Sequence, residues 1–215
     1  MRRAVDLLVA VPILVVLSPL LLALVLAIRL ESPGPGFFRQ VRIGRDGVPF
    51  RIVKLRTMRA DGGDPSRMAS RADPRVTRLG ERLRKTHLDE LPQLINVVRG
   101  EMSLIGPRPE IPEFVALYTP EQRAVLAVRP GVTGPGQIDY ATRFQPLLDG
   151  ADDPNRVYIE QILGPKLELD LDYLRRRSLA TDLGVIRDTI RAILRPRDTS
   201  ATSPDSPPGA EPPGA

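Results

Sequence analysis

The sequence has no cysteine and no tryptophan, a single histidine, and aromatic residues at only 4% of its 215 positions. Without cysteine there is no disulfide framework and no thiolate nucleophile, and His87 alone cannot supply a zinc cluster. No His-centred triad is evident either. The few aromatic side chains leave little surface for stacking on bases, so we expect no nucleic-acid partner.

Positive charge, by contrast, is abundant. The formal net charge is +5 and the pI about 10.0. Lys54, Lys85 and Lys166 are the only lysines, so arginine makes up the rest of the 31 basic residues. A chain of this kind favours anionic partners, which include phosphorylated substrates and anionic lipid headgroups. Its length permits one modest domain together with a membrane segment and a tail.

The most informative stretch, residues 88–109, reads LDELPQLINVVRGEMSLIGPRP. Proline fits a helix only in the first turn, so Pro92 predicts a helix that begins near Asp89 and Glu90. Glycine favours the end of a helix, so the helix should end at Gly100. Free amides and the helix dipole would then favour anions beside the two acids. An isolated Asp-Glu pair, however, is more often a capping feature.

Arg108 follows in the same stretch, between Pro107 and Pro109. The two prolines restrict the backbone and would hold a planar, five-donor guanidinium in one orientation suited to phosphate oxygens. Paired acids and a fixed arginine within one short stretch therefore indicate an active site that handles phosphate.

Residues 7–28 form an uncharged apolar run that is long enough to cross a bilayer as a helix. Pro19 lies near its middle and removes a helix hydrogen bond at a cost of about 3 kcal/mol. Basic residues flank both ends, which places both on the cytoplasmic side. We therefore predict a re-entrant helix-break-helix in which Ser18 satisfies a carbonyl freed by Pro19. A spanning helix kinked at Pro19 remains the alternative, whereas a cleaved signal peptide would be shorter.

Two apolar segments, 37–43 and 50–56, flank a glycine-containing turn at 44–47 and predict a small β-hairpin. Side chains two positions apart share a face of a strand, so Lys54 and Arg56 should point the same way and could reach a diphosphate. Solvated strand charges are the alternative.

Helices are predicted at 76–84, 119–128, 165–177 and 180–194. In the last of these, Leu183, Ile186, Ile190 and Ile193 keep helical spacing beside several arginines. An apolar stripe of this kind fits a helix that lies among lipid headgroups, although packing on the protein's own core is the commoner explanation. From Thr199 onward the chain consists largely of Pro, Ser, Gly and Ala, which predicts disorder.

The fold class is therefore α+β and mainly helical, with interfacial helices around an active site at the membrane surface. We divide the chain into a re-entrant membrane hairpin (1–30), a catalytic domain (31–196) and a disordered tail (197–215).

The 88–109 stretch resembles the signature of bacterial sugar transferases, specifically the monotopic polyprenyl-phosphate phosphoglycosyl transferases. The resemblance extends over almost everything up to the tail. It continues in Ser18-Pro19 and in the segments 32–40, 54–58 and 129–134.

The resemblance implies transfer of a sugar 1-phosphate from a nucleotide-diphosphate sugar, expected to be UDP-linked, to polyprenol phosphate. The reaction is the first membrane step of glycan or exopolysaccharide synthesis, at the cytoplasmic face of the bacterial plasma membrane. Asp89 is similar in position to the family's nucleophile, which forms an aspartyl phospho-sugar and releases nucleotide monophosphate. Glu90 would bind the metal or position the acceptor. Charge on a diphosphate is usually neutralised by a hard cation, so we expect Mg²⁺ held by Asp89 and Glu90.

Further contacts to the substrate are expected from basic and amide side chains spread along the chain, with no catalytic role for His87. They are Lys54, Arg56, Arg84, Arg108, Arg129 and Gln137. After Gly134 the sequence departs from the family pattern, because Pro135-Gly136 replaces a larger apolar residue and Ala, and no arginine occupies position 141. That segment is thought to touch the nucleotide-sugar, so the resemblance does not name the sugar.

Two other hypotheses use the same features. One is a hydrolase of nucleotide-sugars or lipid diphosphates, which would use water as the acceptor. The other is a non-catalytic anchor that binds anionic lipids, which would leave the 89–109 constellation unexplained. A homo-oligomer is compatible with each hypothesis.

Overall fold

A computed structural model describes residues 2–59, 73–139, 143–149 and 151–194. The predicted tail at 197–215 lies outside these residues. The described part is mainly helical, as the sequence predicted, and has two small sheets, of which the sequence predicted only the β-hairpin. The helices are α1 (Arg2–Glu31), α2 (Arg78–Thr86), α3 (Gln93–Arg99), α4 (Pro112–Val115), α5 (Pro135–Asp139), α6 (Gln145–Asp149), α7 (Pro154–Val157), α8 (Leu163–Arg175) and α9 (Leu179–Leu194). The strands are β1 (Phe37–Ile43), β2 (Pro49–Leu55), β3 (Ser103–Ile105) and β4 (Gly131–Thr133).

Helix α1 runs from Arg2 to Glu31 without interruption and includes Pro12 and Pro19. The predicted break at Ser18-Pro19 is therefore wrong at the level of secondary structure. The reason is local: Pro19 has no N–H for the carbonyl of Val15, and the Ser18 hydroxyl donates to that carbonyl instead, at 2.8 Å. The hydroxyl thus does what the sequence predicted, and in doing so it helps the helix to continue through the proline.

Both ends of α1 are held by the same domain. Near its start, the Arg3 guanidinium donates to the carbonyls of Val97 and Val98. The Asp6 carboxylate accepts from the Ser103 hydroxyl at 2.9 Å and from the Leu104 amide at 3.0 Å. At the other end, Arg56 donates to the carbonyls of the last turn, as described below. Between these contacts, buried Ala10, Leu21 and Ile28 contribute to the core.

The opposite face of α1 exposes apolar side chains along its whole length. Among the described helices, α1 alone is long and apolar enough to cross a membrane. Its exposed large apolar residues are Val5, Leu8, Val9, Val11, Ile13, Val15, Val16, Leu20, Leu22, Leu26 and Leu30.

The predicted β-hairpin is confirmed, since β1 and β2 pair antiparallel with Phe38 opposite Lys54. Helix α3 is attached to β2 by the buried Asn96, whose side chain accepts from the Val53 amide at 3.0 Å and donates to the Arg51 carbonyl at 2.8 Å. This contact fixes the start of α3 below the strand that carries Lys54.

Strands β3 and β4 pair in parallel and bring the 103–108 segment beside the 131–137 segment. The backbones approach closely: the Gly106 amide donates to the Thr133 carbonyl at 3.0 Å, and a Cβ on Gly134 would lie 2.2 Å from the Gly106 carbonyl oxygen. Only glycine fits there. Helix α8 packs beneath α5, which directly follows β4.

Helices α8 and α9 confirm the two predicted C-terminal helices within a few residues. In α9, Val185 is buried and the Thr189 hydroxyl lies 2.7 Å from that of Thr133. Three members of the predicted apolar stripe face away from the core, with Leu183 66%, Ile186 39% and Ile190 51% exposed. The predicted helix at 119–128 is instead a 3-10 helix at Gln122–Ala127.

A substitution at Gly80 tests how closely α2 approaches Thr57, which follows the hairpin. A Cβ at this position would lie 2.1 Å from the Thr57 carbonyl oxygen. We expect Gly80→Ala to lower the free energy of unfolding by about 3 kcal/mol through overpacking. The control is Gly164→Ala in α8, where no atom lies within 4 Å of the new Cβ.

The control should gain about 0.5 to 1 kcal/mol, because alanine restricts the unfolded chain. Chemical unfolding of both variants in detergent measures the difference. Equal stability of the two variants would contradict the close approach of α2 to Thr57.

Candidate active site

Asp89 and Glu90 lie in a short turn between two helices. The 3-10 turn Leu88–Glu90 follows His87, a non-glycine residue with a left-handed φ of 56° that ends α2. Pro92 then caps the start of α3. The acids therefore precede the α-helix that the sequence predicted them to begin, because the left-handed residue turns the chain between α2 and α3.

The Glu90 carboxylate accepts hydrogen bonds from three different parts of the fold. Its Oε1 accepts from the Lys54 ammonium of β2 and from the Arg108 guanidinium, each at 2.7 Å. Its Oε2 accepts from the Gln137 amide of α5 at 3.0 Å and from Arg108 Nη1 at 3.4 Å. Both carboxylate oxygens are thus engaged, and the Glu90 side chain is only 15% exposed.

The Asp89 carboxylate differs from that of Glu90 in its hydrogen bonding. It is 9% exposed, and none of the described residues donates a hydrogen bond to its carboxylate. Burial and the neighbouring charge of Glu90 raise the pKa of Asp89 to about 6, although Lys54, Arg84 and Arg108 oppose the shift. A carboxylate that is ionised at neutral pH, poorly solvated and without a hydrogen-bond donor is chemically available.

Glu90 differs from Asp89 because its partners outweigh its burial. Burial alone would raise the pKa of Glu90, but the charges and hydrogen bonds of Arg108 and Lys54 hold that pKa well below its usual range. Glu90 is therefore a fixed anion that organises two cations next to Asp89.

Arg84 supplies a third cation near Asp89 from α2. Its Nε donates to the Thr57 hydroxyl at 2.9 Å, and its charge lowers the pKa of Asp89. The close approach of Gly80 to Thr57 brings α2 to this position. The structure thus brings together five residues that the sequence predicted for the site: Lys54, Arg84, Asp89, Glu90 and Arg108. Gln137 joins them through Glu90.

Arg56 does not join them. It is 5% exposed and donates to the carbonyls of Ile28, Ser32 and Pro33, and to the Ser32 hydroxyl. The predicted pairing with Lys54 is therefore not formed. Strand β2 ends at Leu55, and carbonyls in the last turn of α1 and just beyond it take the guanidinium instead.

Arg129 is placed at the far end of α3, where its Nε donates to the Gly100 carbonyl at 2.7 Å. Its predicted contact with phosphate stays a prediction. Arg143 forms an ion pair with Asp139 at 2.8 Å, while residues 140–142 of the divergent segment lie outside the described residues.

The oxygen donors for a metal ion are few. In the described part of the chain, no group of three or more His, Cys, Asp or Glu residues could hold a metal. Both Glu90 oxygens already face cationic or amide donors, which leaves Asp89 as the open carboxylate. This donor set fits a Mg²⁺ ion that shares most of its ligands with substrate phosphates, a common arrangement for Mg²⁺.

The sequence profile of the bacterial sugar transferases matches residues 1–196 of the chain. The chain belongs to the bacterial sugar transferase family.

Individual sugar transferases that resemble this one act on different sugars, by their names. A UDP-glucose:undecaprenyl-phosphate glucose-1-phosphate transferase of Caulobacter vibrioides is 41% identical over 90% of this chain and 69% of its own length. A UDP-N-acetylgalactosamine-undecaprenyl-phosphate N-acetylgalactosaminephosphotransferase of Aeromonas hydrophila is 40% identical over 90% of this chain but only 43% of its own length. The exopolysaccharide production protein PSS of Rhizobium leguminosarum is 37% identical over 88% and 93%.

The contrast between the two acids of this sugar transferase can be measured directly. We expect the Asp89 carboxyl to titrate near pH 6 in ¹³C NMR spectra of aspartate-labelled protein, with the signal assigned by its loss in Asp89→Asn. Glu90→Gln should move this titration to lower pH, because the negative neighbour is removed while Lys54 and Arg108 remain.

The matched control is Glu113→Gln, which removes an exposed glutamate outside the site and should leave the Asp89 titration unchanged. An Asp89 signal that titrates near pH 4 in the wild type would contradict the buried position of this carboxyl.

Proposed function

We propose that this sugar transferase moves a sugar 1-phosphate from a UDP-sugar to polyprenol phosphate, with Asp89 as the nucleophile. The single observation that carries the proposal is the contrast between the adjacent acids. Glu90 accepts four hydrogen bonds from Lys54, Arg108 and Gln137, whereas Asp89 accepts none from the described residues. The names of the relatives support the substrates.

In the first step, an Asp89 oxygen attacks the phosphorus next to the sugar. The bond from that phosphorus to the bridging oxygen breaks, and nucleotide monophosphate leaves with the electron pair. In the second step, an oxygen of polyprenol phosphate attacks the aspartyl phospho-sugar and the Asp89 carboxylate is released. Both nucleophiles are ionised at neutral pH, so neither step needs a general base.

Lys54, Arg84 and Arg108 lie around Asp89, where negative charge builds up on the phosphoryl oxygens. Glu90 holds Lys54 and Arg108 in place before substrate arrives, so they need no reorganisation during the reaction. Arg108 presents two nitrogens to Glu90 and still lies at a partly open position, with 21% of its side chain exposed. Such a fork suits a phosphate better than a point charge does.

Mg²⁺ is part of the proposal. Asp89 is the protein residue that would hold the ion together with substrate phosphate oxygens, and Glu90 would contribute only by exchanging one of its present partners. When bound, the ion would neutralise charge on the diphosphate.

Association with a membrane surface is supported by α1 and α9, and the basic residues at both ends of α1 favour the cytoplasmic face of the plasma membrane. The exposed apolar face of α1 and the exposed stripe of α9 lie on elements joined by an ion pair between Arg2 and Asp182, at 3.3 Å. Since Arg3, Asp6 and Arg56 tie both ends of α1 to the domain, the helix is suited to enter one leaflet beside the domain rather than to span the bilayer. We propose this monotopic arrangement, with α9 lying in the headgroup region.

This arrangement predicts the side of the membrane on which each end lies. Reporters at the N-terminus and after residue 194 should both be cytoplasmic. Asp6→Leu should move part of the N-terminal reporters to the other side, because the contacts with Ser103 and Leu104 are lost while acidic residues contribute little to orientation by themselves.

The control is Ala4→Leu, which adds apolar surface at the same end of α1 and breaks no contact; it should leave both reporters cytoplasmic. A periplasmic N-terminus in the wild type would overturn the monotopic arrangement.

The chemistry is tested with the donor alone. The wild type should release nucleotide monophosphate in an amount equal to the enzyme and stop until polyprenol phosphate is added. Asp89→Asn should lose turnover roughly a thousandfold or more, whereas Glu90→Gln should lose only about ten- to a hundredfold and keep the stoichiometric release.

Continuous release without polyprenol phosphate would instead identify a hydrolase. No release with any donor of a UDP-sugar panel would leave the non-catalytic anchor as the better account. The same panel identifies the sugar.

A further inference from the structure

A second polar cluster lies in the interior beneath the site. Lys166 and Asp170 are one turn apart on α8 and each is only 1% exposed, and Glu110 is 5% exposed. The Lys166 ammonium and the Tyr158 hydroxyl both donate to Glu110 Oε1. Arg42 approaches the other oxygen at 3.5 Å. These residues take no part in the steps described above.

The cluster is connected to two of the three residues that bind Glu90. Glu110 follows Arg108 and Pro109 in the chain. Asp170 Oδ1 accepts from the Gly136 amide at 3.2 Å, and Gly136 immediately precedes Gln137. Lys166 lies one turn before Asp170 on α8 and binds Glu110 directly. Burial raises the pKa of Asp170 to about 6, although the charge of Lys166 opposes the shift. One helix therefore contacts both the segment that carries Arg108 and the helix that carries Gln137.

The packing at α5 leaves little freedom for another arrangement. A Cβ on Gly136 would lie 3.0 Å from Asp170 Oδ1 and 3.0 Å from Lys166 Cγ. Buried charges are costly, and well-packed apolar side chains of similar volume often stabilise a fold as well or better. What apolar side chains could not supply is a fixed acceptor for the Gly136 amide.

We propose that Asp170 is a positioning residue, whose hydrogen bond with the Gly136 amide keeps Gln137 directed at Glu90. Asp170 acts through the backbone of α5 and touches no reacting atom. The predicted effect of Asp170 on turnover rests on the proposed function. Its predicted effect on the position of Gln137 does not.

The test is a double-mutant cycle measured as kcat/KM of the full-length protein in nanodiscs. Gln137→Ala should lose about tenfold, the loss expected for one hydrogen bond to a charged group. Asp170→Ala should lose a similar factor, and the double variant should be no worse than Gln137→Ala alone. Asp170→Asn keeps an acceptor for the Gly136 amide and should recover most of the activity.

Hydrogen exchange gives a readout that does not depend on activity. Exchange in a peptide covering residues 134–139 should accelerate in Asp170→Ala and stay near the wild-type rate in Asp170→Asn. If Asp170→Ala does not accumulate in folded form, Asp170→Ser replaces it, because its hydroxyl is too short to reach the Gly136 amide.

The control is Leu167→Ala, which changes a buried core residue next to Lys166 in α8. It should lower the melting temperature. At temperatures well below the melting transition, it should leave kcat and hydrogen exchange at 134–139 unchanged. Losses that multiply to about a hundredfold in the double variant, or unaltered exchange in Asp170→Ala, would overturn the positioning role. An inactive wild type with the predicted exchange pattern would instead overturn the proposed function alone.

Discussion

The site depends on the hydrogen bonds that Glu90 accepts from Lys54, Arg108 and Gln137. These side chains come from β2, from the loop after β3 and from α5, which are far apart in the sequence. An unpaired carboxylate in this position would be strongly disfavoured by burial, so the three donors and the acid stabilise one another. Lys54 and Arg108 are thereby ordered beside Asp89, and neither donates a hydrogen bond to the Asp89 carboxylate. Two adjacent acids of similar chemistry thus have opposite surroundings, and their pKa values are shifted in opposite directions.

The same domain also determines how the membrane helix is held. Arg3 donates to the end of α3, and Asp6 accepts from β3, the strand that leads directly to Arg108. Arg56 satisfies the carbonyls at the other end of α1. The anchor is therefore built into the catalytic domain, so that the site lies at a fixed height relative to the apolar face of α1. This geometry suits a reaction in which one substrate is soluble and the other is a lipid.

Local signals in the sequence predicted much of the fold. The hairpin, the end of α3 at Gly100 and the two C-terminal helices follow from turn glycines and helical periodicity. The Asp-Glu pair and Arg108 were predicted to share a site because they lie in one short stretch. Lys54 was predicted together with Arg56 from strand alternation and the family resemblance, and of the two only Lys54 lies at the site.

Two of the misses have causes in tertiary structure, and one has a local cause. Arg56 was expected at the phosphate, but it donates instead to the carbonyl of Ser32, which follows α1 and lies 24 residues earlier in the chain. The break at Pro19 was expected because proline removes a hydrogen bond, yet a hydroxyl next to it repairs the loss. Lys166 and Asp170 were not predicted to matter, because only tertiary packing buries them.

The central claim is that Asp89, and not Glu90, is the attacking carboxylate. It is tested most directly by locating the phospho-sugar. The wild type is incubated with its UDP-sugar in the absence of polyprenol phosphate, quenched in acid, digested and mapped by tandem mass spectrometry. The account predicts one modified site, the Asp89 side chain. A phospho-sugar on Glu90, or multiple turnovers with no modified residue, would contradict it.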